Sequence, residues 1–98
     1  MWNVISAVQL DEYLRDGTPM FLADLRDQSD FMQDHIRGAV NIPAEELPNR
    51  LGELPKDRLI VLYCYHGPQS MRAARWLDQM GYDAVNVYGG MQGYRGRY

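Results

Sequence analysis

An uninterrupted apolar segment, Leu59 to Tyr63, constrains the fold of this chain more than any other feature. Apolar and polar residues do not alternate along it, so a strand formed here must be covered on both faces. Strands of this kind are typical of parallel sheets that are flanked by helices. Other short apolar segments alternate with helix-like stretches along the chain, and that alternation predicts an α/β fold.

The size and charge of the chain exclude several classes of protein. With 98 residues, 46% of them hydrophobic, the chain can build one core but not two. We therefore expect one domain over residues 1–98. The net charge of −3 and the absence of a basic run argue against nucleic-acid binding. No apolar segment reaches the length of a membrane span and the N-terminus lacks a secretory-signal pattern, so we expect no membrane association.

Local signals predict the elements of the N-terminal half. Ser6 and Gln9 form a capping box that opens a helix, and Gly17 ends it. A polar stretch at residues 27–34 is predicted to be helical, with Phe31 facing inward. A further short helix is predicted from residues 46–48, with its proline near the first turn. The expected strands of this half lie at residues 20–23 and 39–42, and a last strand is expected at residues 84–88.

The longest helix is predicted to begin near Ser70, because the Gly-Pro pair just before it excludes helix. Apolar residues then recur at helical spacing, and the stripe predicted to face the core consists of Ala73, Trp76, Leu77 and Met80.

The single cysteine, Cys64, bears on both compartment and chemistry. It excludes an intramolecular disulfide and a multi-cysteine zinc site. A chain without disulfides suits a reducing compartment, so we expect a cytoplasmic location. Cys64 is either a core residue or a nucleophile, and free cysteines in general are among the most buried residues.

The position of Cys64 favours the nucleophile. It follows the apolar strand and stands in a strand–loop–helix unit, and ligands of open α/β sheets bind at the carboxyl ends of strands. Backbone N–H groups of the loop, with the unpaired N–H groups of the helix beginning near Ser70, would form an anion site. Such a site favours a thiolate and can hold an oxyanion beside it.

One alternative enzyme shares this topology, namely a cysteine phosphatase or arsenate reductase. Phosphoryl transfer through cysteine needs a phosphate cradle that an arginine closes. In a Cys-x5-Arg pattern the arginine would be residue 70, where this chain has Ser70. The sequence therefore disfavours the phosphatase.

Four segments resemble the rhodanese family, in order over roughly residues 3–95. Residues 64–70, Cys-Tyr-His-Gly-Pro-Gln-Ser, look like its active-site loop. Residues 21–26 resemble a strand ending in Asp-x-Arg, and residues 35–43 resemble a His-Ile-x-Gly-Ala-x-Asn-Ile-Pro segment. Residues 88–94 are similar to the family's Gly-Gly segment with a following aromatic residue. The resemblance implies a rhodanese-like α/β fold, a five-stranded parallel sheet with helices on both faces.

The resemblance also implies a thiosulfate sulfurtransferase. The Cys64 thiolate would take the outer sulfur of thiosulfate as a persulfide, release sulfite, and pass the sulfur to cyanide, glutathione or thioredoxin. No metal or organic cofactor is implied, and we expect a monomer or weak dimer. A relay or docking module, fed with sulfur by another protein, is the alternative, because Gln69 stands where many family loops carry an arginine.

The expected site residues follow from the loop and the helix after it. Cys64 is the expected catalytic residue, and Arg72 is expected to attract thiosulfate in place of the missing arginine. His66 would favour the thiolate as a cation or is an exposed loop residue, and Ser70 caps the helix or donates to the sulfur anion. Asp24, Arg26 and His35 are expected to be structural. The expected substrate-binding residues are Tyr65, His66, Gly67, Pro68, Gln69, Ser70 and Arg72.

Overall fold

A computed structural model of the chain describes residues 3–65 and 67–93. Its strands are β1 (Asn3–Ile5), β2 (Met20–Asp24), β3 (Val40–Asn41), β4 (Leu59–Tyr63) and β5 (Ala84–Val87). Its α-helices are α1 (Ala7–Asp16), α2 (Gln28–Gln33), α3 (Pro68–Gln79) and α4 (Gly90–Gly93). Two 3-10 segments, Ala44–Asn49 and Leu51–Glu53, connect β3 to β4.

The five strands form one parallel sheet in the order β1-β5-β4-β2-β3, which confirms the predicted architecture. Strand β4 is central, as its uniformly apolar sequence predicts. Ile60 and Leu62 face the side that α3 covers, whereas Val61 and Tyr63 face the side that α1 covers. The two faces of one strand thus belong to two separate hydrophobic clusters, and β4 holds both.

Helix α1 has the predicted ends. The Ser6 hydroxyl accepts from the Gln9 N–H at 3.0 Å, and the Gln9 side chain accepts from the Ser6 N–H at 3.0 Å. Gly17 ends the helix with φ +71°, a left-handed conformation that glycine adopts without strain.

The predicted core stripe of α3 is wrong for two of its four residues. Ser70, Ala74 and Leu77 are the buried residues of the helix, whereas Trp76 and Met80 are each 36% exposed. Ser70 and Ala74 have small side chains, so α3 packs closely on the sheet along their line and the indole turns outward. The helix also begins two residues earlier than predicted, because a proline is tolerated at the first helical position.

Three smaller predictions are corrected as well. The helix expected from residues 46–48 is replaced by the two 3-10 segments, because Pro48 inside the first has no N–H for an α-helical bond. Phe31 is half-buried rather than inward, and its ring stacks on His35 at 3.8 Å. The strand predicted at residues 39–42 is reduced to the two residues of β3.

Within residues 3–65 and 67–93, none of the helices has the length and apolar character that crossing a bilayer would require.

Candidate active site

Cys64 lies at the carboxyl end of β4, on the face that α3 covers, and is 2% exposed. Two backbone N–H groups point at its sulfur: that of Gly67, 3.0 Å from Sγ, and that of Ser70, 3.5 Å from Sγ. The thiol itself points at the Ser70 hydroxyl, with Sγ and Oγ 3.6 Å apart. The sulfur is therefore buried but surrounded by donors on its loop side, as a nucleophile held as an anion requires.

The local sequence explains why these donors converge. Gly67 is the N-cap of α3 with φ +119°, a conformation that bends the chain back over Cys64 and that side chains rarely adopt. The N–H of Ser70 belongs to the first turn of α3, where N–H groups have no partner within the helix. The sulfur supplies the acceptor that this turn lacks.

The Ser70 side chain does not cap the helix, contrary to one of its two expected roles. Its hydroxyl donates to the Gly67 carbonyl at 3.0 Å, within the turn that begins α3. The N-cap position belongs to Gly67, since the helix begins at Pro68. Ser70 thus joins the two ends of the turn while its oxygen faces the sulfur.

Gly90 supports the loop from the other side, a contact that the sequence interpretation missed. The N–H of Met91 donates to the Cys64 carbonyl at 2.7 Å, so α4 begins directly against the Cys64 peptide. A Cβ atom added at Gly90 would overlap the Cys64 carbonyl oxygen and lie 2.8 Å from the Tyr65 carbonyl oxygen. Gly90 also has φ +56°. The Gly-Gly pair after β5 was the available signal for this close approach.

The neighbouring strand end carries a buried ion pair. Arg26 Nη2 lies 2.9 Å from Asp24 Oδ2 and also donates to the Asp34 carbonyl at 2.6 Å. The Asn41 amide donates to the carbonyls of Asp24 and Arg26. Burial alone would lower the pKa of Arg26, but the hydrogen bond to Asp24 and the negative charges around the guanidinium together outweigh burial, and the pKa is raised. These contacts fit the structural role expected for Asp24 and Arg26.

Tyr63 connects this ion pair to β4, the strand that precedes Cys64. It is fully buried, and its hydroxyl accepts from the Ile36 N–H at 3.1 Å. Burial raises the pKa of Tyr63 far above its ordinary value, and the neighbouring Asp24 charge and hydrogen bond raise it further. The phenol therefore stays neutral and serves as a hydrogen-bonding group between the two strand ends.

His35 also has a structural environment. Its Nδ1 lies 2.9 Å from the Phe31 carbonyl, so this nitrogen carries the proton. Together with the stacked rings, this bond links α2 to the segment before β3.

The remaining expected substrate residues are spread around the loop. Tyr65 is 52% exposed, and Pro68 is exposed at the start of α3. His66 lies outside the described residues. Gln69 and Arg72 are exposed and do not contact the sulfur; they line a groove of about 270 Å³ between α3 and the Ala44–Asn49 segment. Their roles toward substrate stay predictions.

Comparison with known proteins agrees with this geometry. A family model described as "Rhodanese-like domain" matches residues 6–97. A sulfurtransferase of Allochromatium vinosum is 37% identical over 92 residues, which cover 93% of this chain and 86% of that protein. A thiosulfate sulfurtransferase GlpE of Tolumonas auensis is 36% identical over 79% of this chain and 74% of its own length. A rhodanese-like domain protein of Staphylococcus aureus has a similar structure, with a TM-score of 0.90 at 27% identity, covering 97% of this chain and 93% of that one.

Proposed function

Since this chain belongs to the rhodanese-like sulfurtransferase family, we propose that it transfers sulfur from thiosulfate to a thiophilic acceptor through a persulfide on Cys64. One observation carries the proposal: the N–H groups of Gly67 and Ser70 converge on the cysteine sulfur. Relatives named thiosulfate sulfurtransferase support the choice of donor. The cytoplasm, where thiols stay reduced, is the compartment that we propose for this chemistry.

The first half-reaction loads the cysteine. The Cys64 thiolate attacks the outer sulfur of thiosulfate, a new S–S bond forms, and the old S–S bond breaks with its electron pair leaving on sulfite. The product is a persulfide anion whose outer sulfur replaces the thiolate as the main site of negative charge. Backbone N–H groups preorganised around the sulfur stabilise such charge without rearrangement.

The second half-reaction discharges the persulfide. Cyanide or a thiolate attacks the outer sulfur, the S–S bond breaks, and the electron pair returns to Cys64 as a thiolate. The product is thiocyanate or a new persulfide on the acceptor. We propose cyanide, glutathione or a thioredoxin-like protein as acceptors, and no step requires a metal or an organic cofactor.

Arg72 is proposed to attract the thiosulfate dianion. Gln69 is uncharged, so this position of the loop offers no cation to an anionic donor. Arg72 supplies a cation one helical turn further along α3, on the same side of the helix. A cation in the first turns of a helix is disfavoured by the helix dipole, so a role toward an anionic ligand accounts for it.

Mass spectrometry of the intact protein tests the persulfide. Incubation with thiosulfate should add one sulfur atom to the wild type and none to Cys64→Ser. Cyanide should then remove that atom as thiocyanate. Full transfer activity in Cys64→Ser, or a wild type that never acquires sulfur, would contradict the proposal.

A persulfide relay is the second candidate, and Gln69 favours it, because the loop lacks a cation for a small dianion at this position. In that case the wild type would load slowly and without saturation from thiosulfate but rapidly from a cysteine desulfurase. The Gln69→Arg variant should then lower the KM for thiosulfate. An unchanged KM together with efficient wild-type loading supports thiosulfate as the donor, whereas equal partner binding by wild type and Cys64→Ala would indicate docking alone.

A further inference from the structure

We propose that the groove between α3 and the Ala44–Asn49 segment binds the sulfur acceptor, and that this acceptor is a small thiol with a carboxylate on an apolar body. The inference rests on the proposed sulfur transfer and names the acceptor's chemical class. The α3 side of this acceptor groove consists of Gln69, Arg72, Ala73 and Trp76, and Leu47 and Pro48 face them.

One end of the groove lies beside the loop that holds Cys64. Gln69 lines it, and the next residue, Ser70, holds its N–H 3.5 Å from Cys64 Sγ. From Gln69 the groove follows α3 for two turns to Trp76, which is about 10 Å along the helix axis. A ligand in the groove can therefore have one end at the loop and the other on α3.

The walls of the groove define the class of ligand. Leu47, Pro48, Ala73 and Trp76 make most of its surface apolar, and the indole is more than a third exposed. Among the described residues that line the groove, Arg72 carries the only formal charge. Apolar walls with one cation fit an apolar body that ends in a carboxylate.

The Arg72 guanidinium is available for such a carboxylate. Arg15, Arg26 and Arg50 each pair with an acidic side chain, whereas Arg72 makes no ion pair with any residue in 3–65 or 67–93. Guanidinium groups bind carboxylates through paired hydrogen bonds, so an exposed and unpaired one is suited to recognise an anion.

The volume of the groove is better matched by a thiol acceptor than by the donor thiosulfate. Thiosulfate is a few atoms in size and would leave most of the roughly 270 Å³ empty. Donor and acceptor visit the site in turn, so Arg72 can attract thiosulfate first and a carboxylate later. In the second step the acceptor thiolate attacks the outer sulfur, and the S–S electron pair returns to Cys64.

A matched pair of thiols tests the inference on preloaded protein. The wild type is loaded with thiosulfate and desalted, and the discharge rate is measured against the concentration of mercaptohexanoate or mercaptohexanol. These thiols share an apolar chain and differ in the carboxylate. We expect the half-saturating concentration to be about fivefold lower for mercaptohexanoate, the size of an exposed ion pair.

Three variants locate the effect. Arg72→Gln should remove the preference for the carboxylate, whereas Arg75→Gln, on the same helix outside the groove lining, should retain it. Trp76→Ala should raise the half-saturating concentration of both thiols about fivefold, since both lose the same apolar contact. Circular dichroism and thermal unfolding show that each variant is folded, and each discharge rate is expressed per loaded Cys64, because Arg72→Gln should also load more slowly from thiosulfate.

The outcomes separate the two proposals. A wild type that never loads sulfur overturns the sulfurtransferase function itself. A wild type that loads and discharges, but treats both thiols alike or loses its preference equally in Arg75→Gln, overturns the acceptor groove alone. In a third outcome, Trp76→Ala slows transfer to reduced thioredoxin but leaves transfer to both small thiols unaffected. This result would assign the groove to a protein acceptor and would likewise overturn the small-thiol inference.

Discussion

Two neighbouring strand ends, those of β2 and β4, have the same place in the fold and opposite chemistry. Asp24 and Tyr63, the last residues of the two strands, are partners in register. Beyond β2, the Arg26 guanidinium donates to the Asp24 carboxylate and the Asp34 carbonyl, and the Asn41 amide donates to the carbonyls of Asp24 and Arg26. The donors of this cluster are therefore directed at acceptors of the cluster itself. Beyond β4, the N–H groups of Gly67 and Ser70 are directed at one sulfur atom. Both clusters lie at the carboxyl edge of the sheet, so the orientation of the donors is what distinguishes the proposed reactive site from the structural cluster.

This comparison predicts that changes around the Cys64 loop slow sulfur transfer, with or without a loss of stability, whereas changes in the hydrogen-bonded cluster around Asp24 lower stability and leave transfer nearly unchanged.

Gly90→Ala should have the largest effect, because its Cβ would overlap the backbone carbonyl of Cys64 and alanine is strained at φ +56°. Together these costs amount to about 4 kcal/mol of the free energy of unfolding. Urea unfolding and persulfide loading measure the effect, and both should fall. Gly52→Ala is the matched control, since a Cβ there meets nothing within 4 Å. Equal behaviour of the two variants would contradict the close approach.

Asp24→Asn should destabilise the protein by about 3 kcal/mol, because it leaves the buried Arg26 guanidinium with only the exposed Asp34 carboxylate, 3.7 Å away, as a charged partner. The measurement is urea unfolding at neutral pH. At a temperature where the variant is folded, its persulfide loading should equal that of the wild type. A stable variant with defective loading would show that the β2 end takes part in the chemistry.

Tyr63→Phe removes the hydroxyl that accepts from the Ile36 N–H, and it should cost about 1.5 kcal/mol of stability. The buried N–H of Ile36 would then lack its acceptor. Thermal unfolding measures the loss, and sulfur transfer should change less than in any substitution beyond β4. A large fall in transfer rate at unchanged stability would argue against a purely structural hydroxyl.

Ser70→Ala should have the smallest effect on stability and a clear effect on rate. Once the thiol has lost its proton, the Ser70 hydroxyl can turn from the Gly67 carbonyl and donate to the thiolate 3.6 Å away. The variant removes this donor but keeps the backbone N–H, so we expect transfer to slow about fivefold, the value of one hydrogen bond. Single-turnover loading from thiosulfate measures it. Ser6→Ala is the control, because it removes an equal hydroxyl from the α1 cap and should lower stability by about 1 kcal/mol without slowing transfer. Equal rates in all three proteins would exclude the Ser70 hydroxyl from the chemistry.

Much of the fold was predictable because the capping residues and apolar segments of the sequence indicate the same elements that the packing of the core requires. The α1 cap depends on residues three apart in sequence, and the central position of β4 follows from its apolar residues alone. The position of Cys64 at a strand end before a helix was predictable for the same reason. The α3 face was not, since the apolar period of the helix allows either Trp76 or Ala74 inward and only the approach of α3 to the sheet selects between them.

By itself, the sequence determined the parallel sheet, the place of Cys64 at the end of its central strand and the family, because each can be recognised from residues that are close along the chain. The tertiary structure decided which donors reach the sulfur, that Gly90 lies against the Cys64 peptide, and that Trp76 and Arg72 share a groove with Leu47. The contacts of Gly90 and of the groove join segments far apart in sequence, whereas the donors to the sulfur lie three and six residues from Cys64 and depend on how its loop turns. Their geometry depends on how closely the helices pack against the sheet, which composition and spacing do not specify.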